Sequence, residues 1–420
     1  RIASIVLNRV VRKAAKCPRC KLRAKRTRKA HRFLARSFRN TPIEIGDDPG
    51  GPILGIAALK AFGKHVFDGA KLGPASLFAP PAKTKLAAPE WISAEWPGEA
   101  SELTFTLGKG GVGKTTVSSG LAFTLRKRHK GTPVLICSTD PAPSLDDAFQ
   151  QQIGTEPIAV LQDRKFLACE LDATAEYRRW SQRLKRQLSE SLQIQQGGLH
   201  VELSFEHEMI AALLDIVPPG VDEVFAIFKI FDLLAIGGQS VIIDMAPTGH
   251  ALELLKTPER LLVWSRLLMR SLAAHRELPI AQDLAVEVAS IAQRARELVQ
   301  MLKDRARSRI FVVMLPEPLP DRETRRLLSD ITALGLRPQA IFINRVLLGE
   351  STKGCQRCDT AHRWQLATLV SQAVTWKGFY PTDPKTGSVR SLRYAVRDWP
   401  SEIVGKRGLE TLTKELWQLE

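Results

Sequence analysis

At 420 residues the chain is too long for one small domain, and its 44% hydrophobic and 25% charged content is that of a soluble globular protein. No apolar run approaches the ~18–20 residues that span a membrane, and no signal peptide is visible in the opening, where residue 1 is Arg. The net charge of +17 is local: residues 1–40 carry 15 Lys/Arg and no Asp/Glu, so the remainder is near neutral. Such a basic end can meet nucleic acid or an anionic membrane, or be a solvated helix face.

The first elements repeat later in the chain. Ile5-Val6-Leu7-Asn8-Arg9-Val10 resembles Ile341-Phe342-Ile343-Asn344-Arg345-Val346, and Cys17-Pro18-Arg19-Cys20 resembles Cys355-Gln356-Arg357-Cys358. In both copies a helical stretch, a Pro-containing turn and a last helix follow, which points to a duplicated unit. The second copy ends a domain beginning near residue 101. Residues 1–70 therefore read as the C-terminal tail of a first half, and the absence of a starting Met reads as a fragment. Residues 71–100, with Pro74, Pro80, Pro81, Pro89 and Pro97, read as the linker between halves.

From 101 onward the pattern predicts an α/β fold, a doubly wound and mostly parallel sheet with helices on both faces. Buried strands are expected at 103–107, 134–137, 166–171, 241–243, 310–314 and 340–343. Region 173–305 holds more helix than crossovers need and reads as including an inserted helical subdomain. Within it Leu284, Val288, Ile291, Ala295, Leu298 and Leu302 form one apolar helix face.

Between the first strand and the next helix stands Gly108-Lys109-Gly110-Gly111-Val112-Gly113-Lys114-Thr115-Thr116, matching G-x-x-x-x-G-K-[ST]. Its glycines let the backbone close around phosphates, and the following helix aims N–H groups at them. Lys114 is expected at the β/γ-phosphates and the Thr115 hydroxyl on Mg²⁺. The extra Lys109 marks a deviant loop class, in which that lysine reaches a nucleotide on a partner subunit. Three strand ends lie where a nucleotide switch needs them. Asp140 is expected to orient or activate the attacking water, with Pro141-Ala142-Pro143 after it. Asp244, heading Asp244-Met245-Ala246-Pro247-Thr248-Gly249-His250, suits an outer-shell Mg²⁺ role, and Pro316-Glu317 follows the strand at 310–314.

Together the loop, the Asp140 and Asp244 segments, Pro316-Glu317 and Asn344 resemble the ArsA/Get ATPases, over residues 101–420. That family contains arsenite-pump ATPases and the targeting factor for tail-anchored membrane proteins. The resemblance implies a tandem-duplicated, cytoplasmic MgATPase, free or peripheral at the inner membrane face. Asn344 would contact adenine, Lys109 would act across the interface, and Thr248, Gly249 and His250 would couple nucleotide state to opening of two halves. Its implied outputs are anion or arsenite transport with a membrane pump subunit, or carriage of a hydrophobic client helix; a third branch is positioning through the basic end. Nucleic acid ranks last among these partners.

Departures are visible. Pro143 stands where the family commonly has His, and no Cys lies near Val217-Pro218-Pro219-Gly220-Val221-Asp222-Glu223, where arsenite-pump members place a metalloid ligand. Soft metalloids need thiolates; Cys137 and Cys169 fall in strands and read as buried. The five Met, of which Met209 and Met269 lie in the helical region, are few for a client groove. His207 has no second His at helical spacing and reads as surface. Each Cys-x-x-Cys pair alone is ambiguous between zinc, redox chemistry and chance. In homodimeric targeting relatives one pair per subunit closes a Cys₄ zinc site, so the resemblance implies zinc at Cys17, Cys20, Cys355 and Cys358.

Overall fold

The computed structural model describes the chain except residues 1, 13–16, 81–89, 141–143, 195–219, 275–278, 348–351, 353, 377–391, 400 and 420. The first elements are β1 (Ile5–Val10), α1 (Pro18–Ser37), β2 (Ile43–Asp47), α2 (Gly55–Phe67) and β3 (Trp91–Ala94). Next come β4 (Leu103–Leu107), α3 (Lys114–Arg128), β5 (Val134–Ser138), α4 (Leu145–Phe149), β6 (Ile158–Val160) and β7 (Asp163–Glu170). A helix-rich stretch follows: α5 (Ala173–Ile194), α6 (Val221–Ala235), β8 (Ser240–Asp244), α7 (Thr248–Ala274) and α8 (Pro279–Lys303). The chain closes with β9 (Ser308–Met314), α9 (Pro318–Ala333), β10 (Ala340–Val346), α10 (Gln356–Thr375), β11 (Arg393–Arg397), α11 (Gly405–Leu412) and β12 (Leu416–Leu419).

One sheet runs in the order β3-β12-β11-β10-β9-β4-β8-β5-β7-β6. The strands from β11 across to β7 are parallel, while β12, β3 and β6 pair antiparallel at the edges. Parallel strands need cover on both faces, which is why β4, β5 and β8 are buried at every position. One face packs Phe105, Ile243 and Ile341 against Ile227, Leu254 and Leu298 of the helix-rich stretch. The other packs Ile136, Ile242 and Phe342 against Leu121 and Leu409. Every strand expected from the sequence is a strand here, and Ala295, Leu298 and Leu302 of the expected apolar face lie in the core.

The segment 71–100 is more than a spacer. Within it β3 adds to the sheet edge through β12, with Trp91 opposite Leu419 and Ala94 opposite Leu416. Just beyond, buried Trp96 stacks on Phe342 with centroids 5.5 Å apart. The folded unit therefore starts before residue 101, because edge strand and indole complete its core.

The sequence repeat has a geometric counterpart. In β1 and β2, Ile5, Val6 and Leu7 align with Ile43, Glu44 and Ile45, after which the register shifts and Val10 meets Asp47. In β10 and β11, Ile341, Phe342 and Ile343 align with Arg393, Tyr394 and Ala395, then shift so that Val346 meets Arg397. The shift is made at Arg9 and Arg345, both left-handed at φ 56° and 57°. Each Arg N–H donates to the preceding Asn Oδ1, at 2.7 Å from Asn8 and 2.8 Å from Asn344. The same strained turn, held by the same side chain, thus opens both copies.

The copies meet through crossed ion pairs. Arg19 Nη1 lies 2.8 Å from Asp398, and Arg357 pairs with Asp48. Each copy thus supplies one arginine and one aspartate, as in an isologous contact between subunits.

If residues 91–96 belong to the fold, Trp96→Ala should destabilise the protein by about 3–5 kcal/mol. Urea unfolding of the full chain measures this; a loss below about 1 kcal/mol would return the segment to linker status.

Candidate active site and metal centre

The loop 108–113 leaves β4 at the centre of the parallel sheet and enters α3. Gly113, the residue before α3, has φ 92°, and a Cβ there would strike the Asn344 amide. At Gly108 a Cβ would strike the Val313 carbonyl. Glycine is required at both because the loop is packed directly on β9 and β10. Buried Val112 anchors the far side, its carbonyl accepting Asn344 Nδ2 at 2.8 Å. Gly110 and Gly111 keep the turn open between these anchors, and a Cβ on Gly111 would meet nothing.

Lys114 is buried, and its Nζ donates to the Lys109 carbonyl at 3.3 Å. Burial lowers its pKa, while the carboxylates of Asp244 and Asp140 pull it back up. An ammonium this poorly hydrated gains strongly from an incoming phosphate. Asp244, at the end of β8, accepts from Thr115 Oγ1 at 2.5 Å and from Ser118 Oγ at 3.0 Å. Thr106 and Ser118 hydroxyls lie 2.6 Å apart beneath it. Burial pushes the Asp244 carboxyl up to about 6, against the Thr115 hydrogen bond and Lys114. A desolvated carboxylate gripping the loop hydroxyl is the donor set that a hydrated Mg²⁺ takes. Thr115 would ligate the ion and Asp244 would hold a water on it.

Asp140 follows β5, and its N–H donates to Ser138 Oγ at 3.2 Å. Residues 141–143 of the same segment, Pro143 included, lie outside the described residues. Asp140 borders a cavity of about 440 Å³ with Glu170, Glu223, Ala246 and His250. Thr139, which sequence reasoning missed, ties the two switch segments together: its N–H donates to the Asp244 carbonyl at 2.9 Å, and its Oγ1 accepts the Ala246 N–H at 2.8 Å. Thr248 opens α7, Gly249 follows, and exposed His250 places Nδ1 3.2 Å from Glu223. Thr139 thus joins the Asp140 segment to the segment that leads into α7.

Thr115, Thr116 and Asn344 share a cavity of about 670 Å³ with Arg345, Trp399 and Val404, a volume suited to a nucleoside. Pro316 and Glu317 do not join it. Glu317 instead lines a separate cavity of about 320 Å³ with Asn8, Arg9, Asp48 and Arg357, and accepts Arg9 Nη2 at 3.3 Å. The loop after β9 opens toward the first copy, not toward the Thr115 cavity. Asn8, Arg9, Asp48 and Ile53 occupy in this smaller cavity the places that Asn344, Arg345, Asp398 and Ile403 hold in the larger. Lys109 is exposed and its Nζ sits 2.7 Å from Glu323 Oε1 on α9, a partner the sequence spacing does not reveal.

The four cysteines of the two pairs converge. Their Sγ atoms all lie within 4.8 Å of one another. Cys17–Cys358, Cys20–Cys355 and Cys20–Cys358 are 3.8, 3.6 and 3.7 Å apart. A tetrahedron with Zn–S of ~2.3 Å has edges of ~3.8 Å, so the thiols fit zinc without rearrangement. Burial and then Cys20 push the Cys358 thiol well up, so four thiolates coexist there only around a cation. Arg357 Nη1 lies 3.7 Å from Cys358 Sγ and also holds Asp48, a supporting contact of the kind metal sites use. Cys137 and Cys169 are fully buried opposite each other on β5 and β7, as expected of core thiols. His207, Met209 and residues 217–219 lie outside the described residues.

Comparison with known proteins agrees with this geometry. Residues 101–377 match the family model described as ArsA_ATPase, anion-transporting ATPase. A protein named ATPase GET3 from Malassezia globosa is 31% identical over 270 residues, covering 60% of this chain and 75% of its own. ATPase get3 of Aspergillus terreus is 30% identical over 276 residues (62% and 78%), and that of Sclerotinia sclerotiorum 28% over 276 (62% and 77%).

The thiol geometry predicts one zinc per chain on elemental analysis of purified protein. Cys20→Ser should remove the metal and lower Tm. Freely titrating thiols and no zinc in the unmodified chain would contradict the assignment.

Proposed function

This chain belongs to the ArsA family of anion-transporting ATPases, and we propose that it spends MgATP on opening and closing two related halves that carry hydrophobic helical clients. The observation that carries the client reading is on α7. Val263, Trp264, Leu267 and Leu268 recur at i, i+1, i+4 and i+5, forming one exposed apolar stripe, with Trp264 54% and Leu267 57% exposed. Apolar side chains grouped on one helix face mark a binding surface, and a stripe of this kind takes an amphipathic or wholly apolar helix. The stripe lies on the helix that begins at Thr248. The second switch segment and the client surface therefore share one helix, with Pro258 between them, and this helix is the link we propose between nucleotide state and client grip.

In this reading the chain's own residues divide the hydrolytic work. Loop N–H groups and Lys114 hold the phosphates, Thr115 and Asp244 position the metal, and Asp140 orients the attacking water. The metal supplies charge neutralisation on the phosphoryl oxygens. Asn344 braces the loop through Val112 and faces the nucleoside cavity.

The arsenite branch has less support. All six cysteines are accounted for, two in the sheet core and four in the thiol cluster, which leaves none beside the segment 217–223. The client branch keeps its apolar surface without methionine: Met269, partly exposed, falls on the other side of α7 from the stripe. The tandem arrangement is part of the proposal: residues 1–70 act as the tail of a first half, supported by the matched register shift, the crossed ion pairs and the paired cavities. Zinc at the four thiols would rivet the two copies together. Among the described residues no helix is long and apolar enough to cross a membrane.

Two variants test this. Lys109→Ala should cut kcat by about 10³–10⁵ while ATP binding survives, as for trans-acting arginines; unchanged kcat would remove Lys109 from the mechanism. Trp264→Asp with Leu267→Asp should abolish co-purification with tail-anchored clients and leave basal ATP turnover intact. Equal client recovery would sink the client surface.

A further inference from the structure

Helix α1 shows a feature that nucleotide chemistry does not use. Lys21, Lys25, Arg28, Lys29, Arg32 and Arg36 are all exposed, and at 3.6 residues per turn they fall within roughly 100° of the helix circumference. From Lys21 to Arg36 the stripe is ~22 Å long. No carboxylate among the described residues lies within salt-bridge distance of any of them. The ion pairs of this helix belong instead to Arg19, Arg23 and Arg26, which face Asp398, Asp48 and Glu402.

Those ion pairs hold the side of α1 away from the stripe, and an adjoining strip is packed. Cys20 and Ala24 are buried with Val11 and Cys358, so the helix cannot roll its charges away. Lysines and arginines at i, i+3 and i+4 repel one another, a cost that an ordinary solvated helix relieves with interspersed acids. Here the helix has none. A fixed, uncompensated, one-sided array of cations is built to meet an anion array.

We propose that the outward face of α1 docks the protein on an anionic phospholipid surface. Two observations favour lipid over nucleic acid. Phe33, 65% exposed, and exposed Leu22 border the stripe, where a basic helix lying in a bilayer interface places its apolar residues. The stripe itself carries only Lys and Arg, with no amide or hydroxyl side chain to read base edges, and one lone aromatic makes no stacking ladder for a single strand. The proposal goes beyond the hydrolytic reading and does not depend on it: docking needs neither ATP nor the client stripe.

The test is vesicle flotation of the full chain, comparing phosphatidylcholine with phosphatidylcholine–phosphatidylglycerol vesicles. Binding should require phosphatidylglycerol and fade with added salt. Each cation near such a surface contributes about fivefold, so Lys25→Glu/Arg28→Glu/Arg32→Glu should weaken binding about a hundredfold or more. ATP turnover without vesicles should be unchanged, which shows the variant is folded. Phe33→Ser should weaken vesicle binding while keeping its salt dependence, and Lys130→Glu/Arg305→Glu, on other surfaces, should bind as the parent does. Equal binding to both vesicle types, or full binding by the triple variant, overturns the proposal. So does tighter binding to duplex DNA or RNA at the same salt that the same triple variant abolishes, which would make the stripe a nucleic-acid surface.

Discussion

The buried carboxylate of Asp244 is the point through which the nucleotide site is assembled. Its two oxygens hold Thr115 of the loop and Ser118 one turn later in α3, and its backbone carbonyl holds Thr139. Burying a carboxylate is costly unless it is hydrogen-bonded, and the fold meets that cost with hydroxyls from β4 and α3. The pull of burial toward the neutral form stores an affinity for cations that no surface aspartate has. Loop, metal position and both switch segments therefore share one electrostatic centre. From that centre to the start of α7 the connection is short, through Thr139 and Ala246.

The second constraint acts between the copies. Arg19 with Asp398 and Arg357 with Asp48 are removed from water, where an ion pair is sustained only by close geometry and further hydrogen bonds. Breaking one partner leaves a buried charge, so these pairs specify the mutual placement of the copies more than they stabilise it. The thiol cluster lies beside them, with Arg357 touching both. Placement of α1, and hence of its basic stripe, depends on this junction. The exposed apolar stripe lies elsewhere, on α7, so the surfaces proposed for membrane and for client occupy different parts of the chain.

Much of this was legible in the sequence, for physical reasons. Central parallel strands are buried at every position and mostly apolar, so they stand out as short runs, and the loop is legible because few residue types satisfy its geometry. The edge strands were harder. β3 and β12 have four residues each, and β11 has five with an arginine at either end, so no long apolar run announces them. The prolines of 71–100 hid Trp96, a core residue inside a stretch whose composition reads as linker. Thr106, Ser118 and Thr139 look like generic hydroxyls until the fold brings them to Asp244. Pro316 and Glu317 were rightly noticed at a strand end, but only the packing of the first copy shows which cavity that end faces. Glu323 and the crossed arginines pair across hundreds of residues, a distance at which spacing holds no information.

The central claim is that the loop, Asp244 and Asp140 form a working hydrolytic centre. Steady-state ATP hydrolysis by the purified full chain, compared with Asp140→Asn while nucleotide binding is followed in parallel, tests it most directly. The account predicts Mg²⁺-dependent turnover that falls about 10²–10⁴-fold in the variant, with ATP binding retained. Turnover that ignores Mg²⁺, or an Asp140→Asn chain that hydrolyses ATP as fast as the parent, would contradict it.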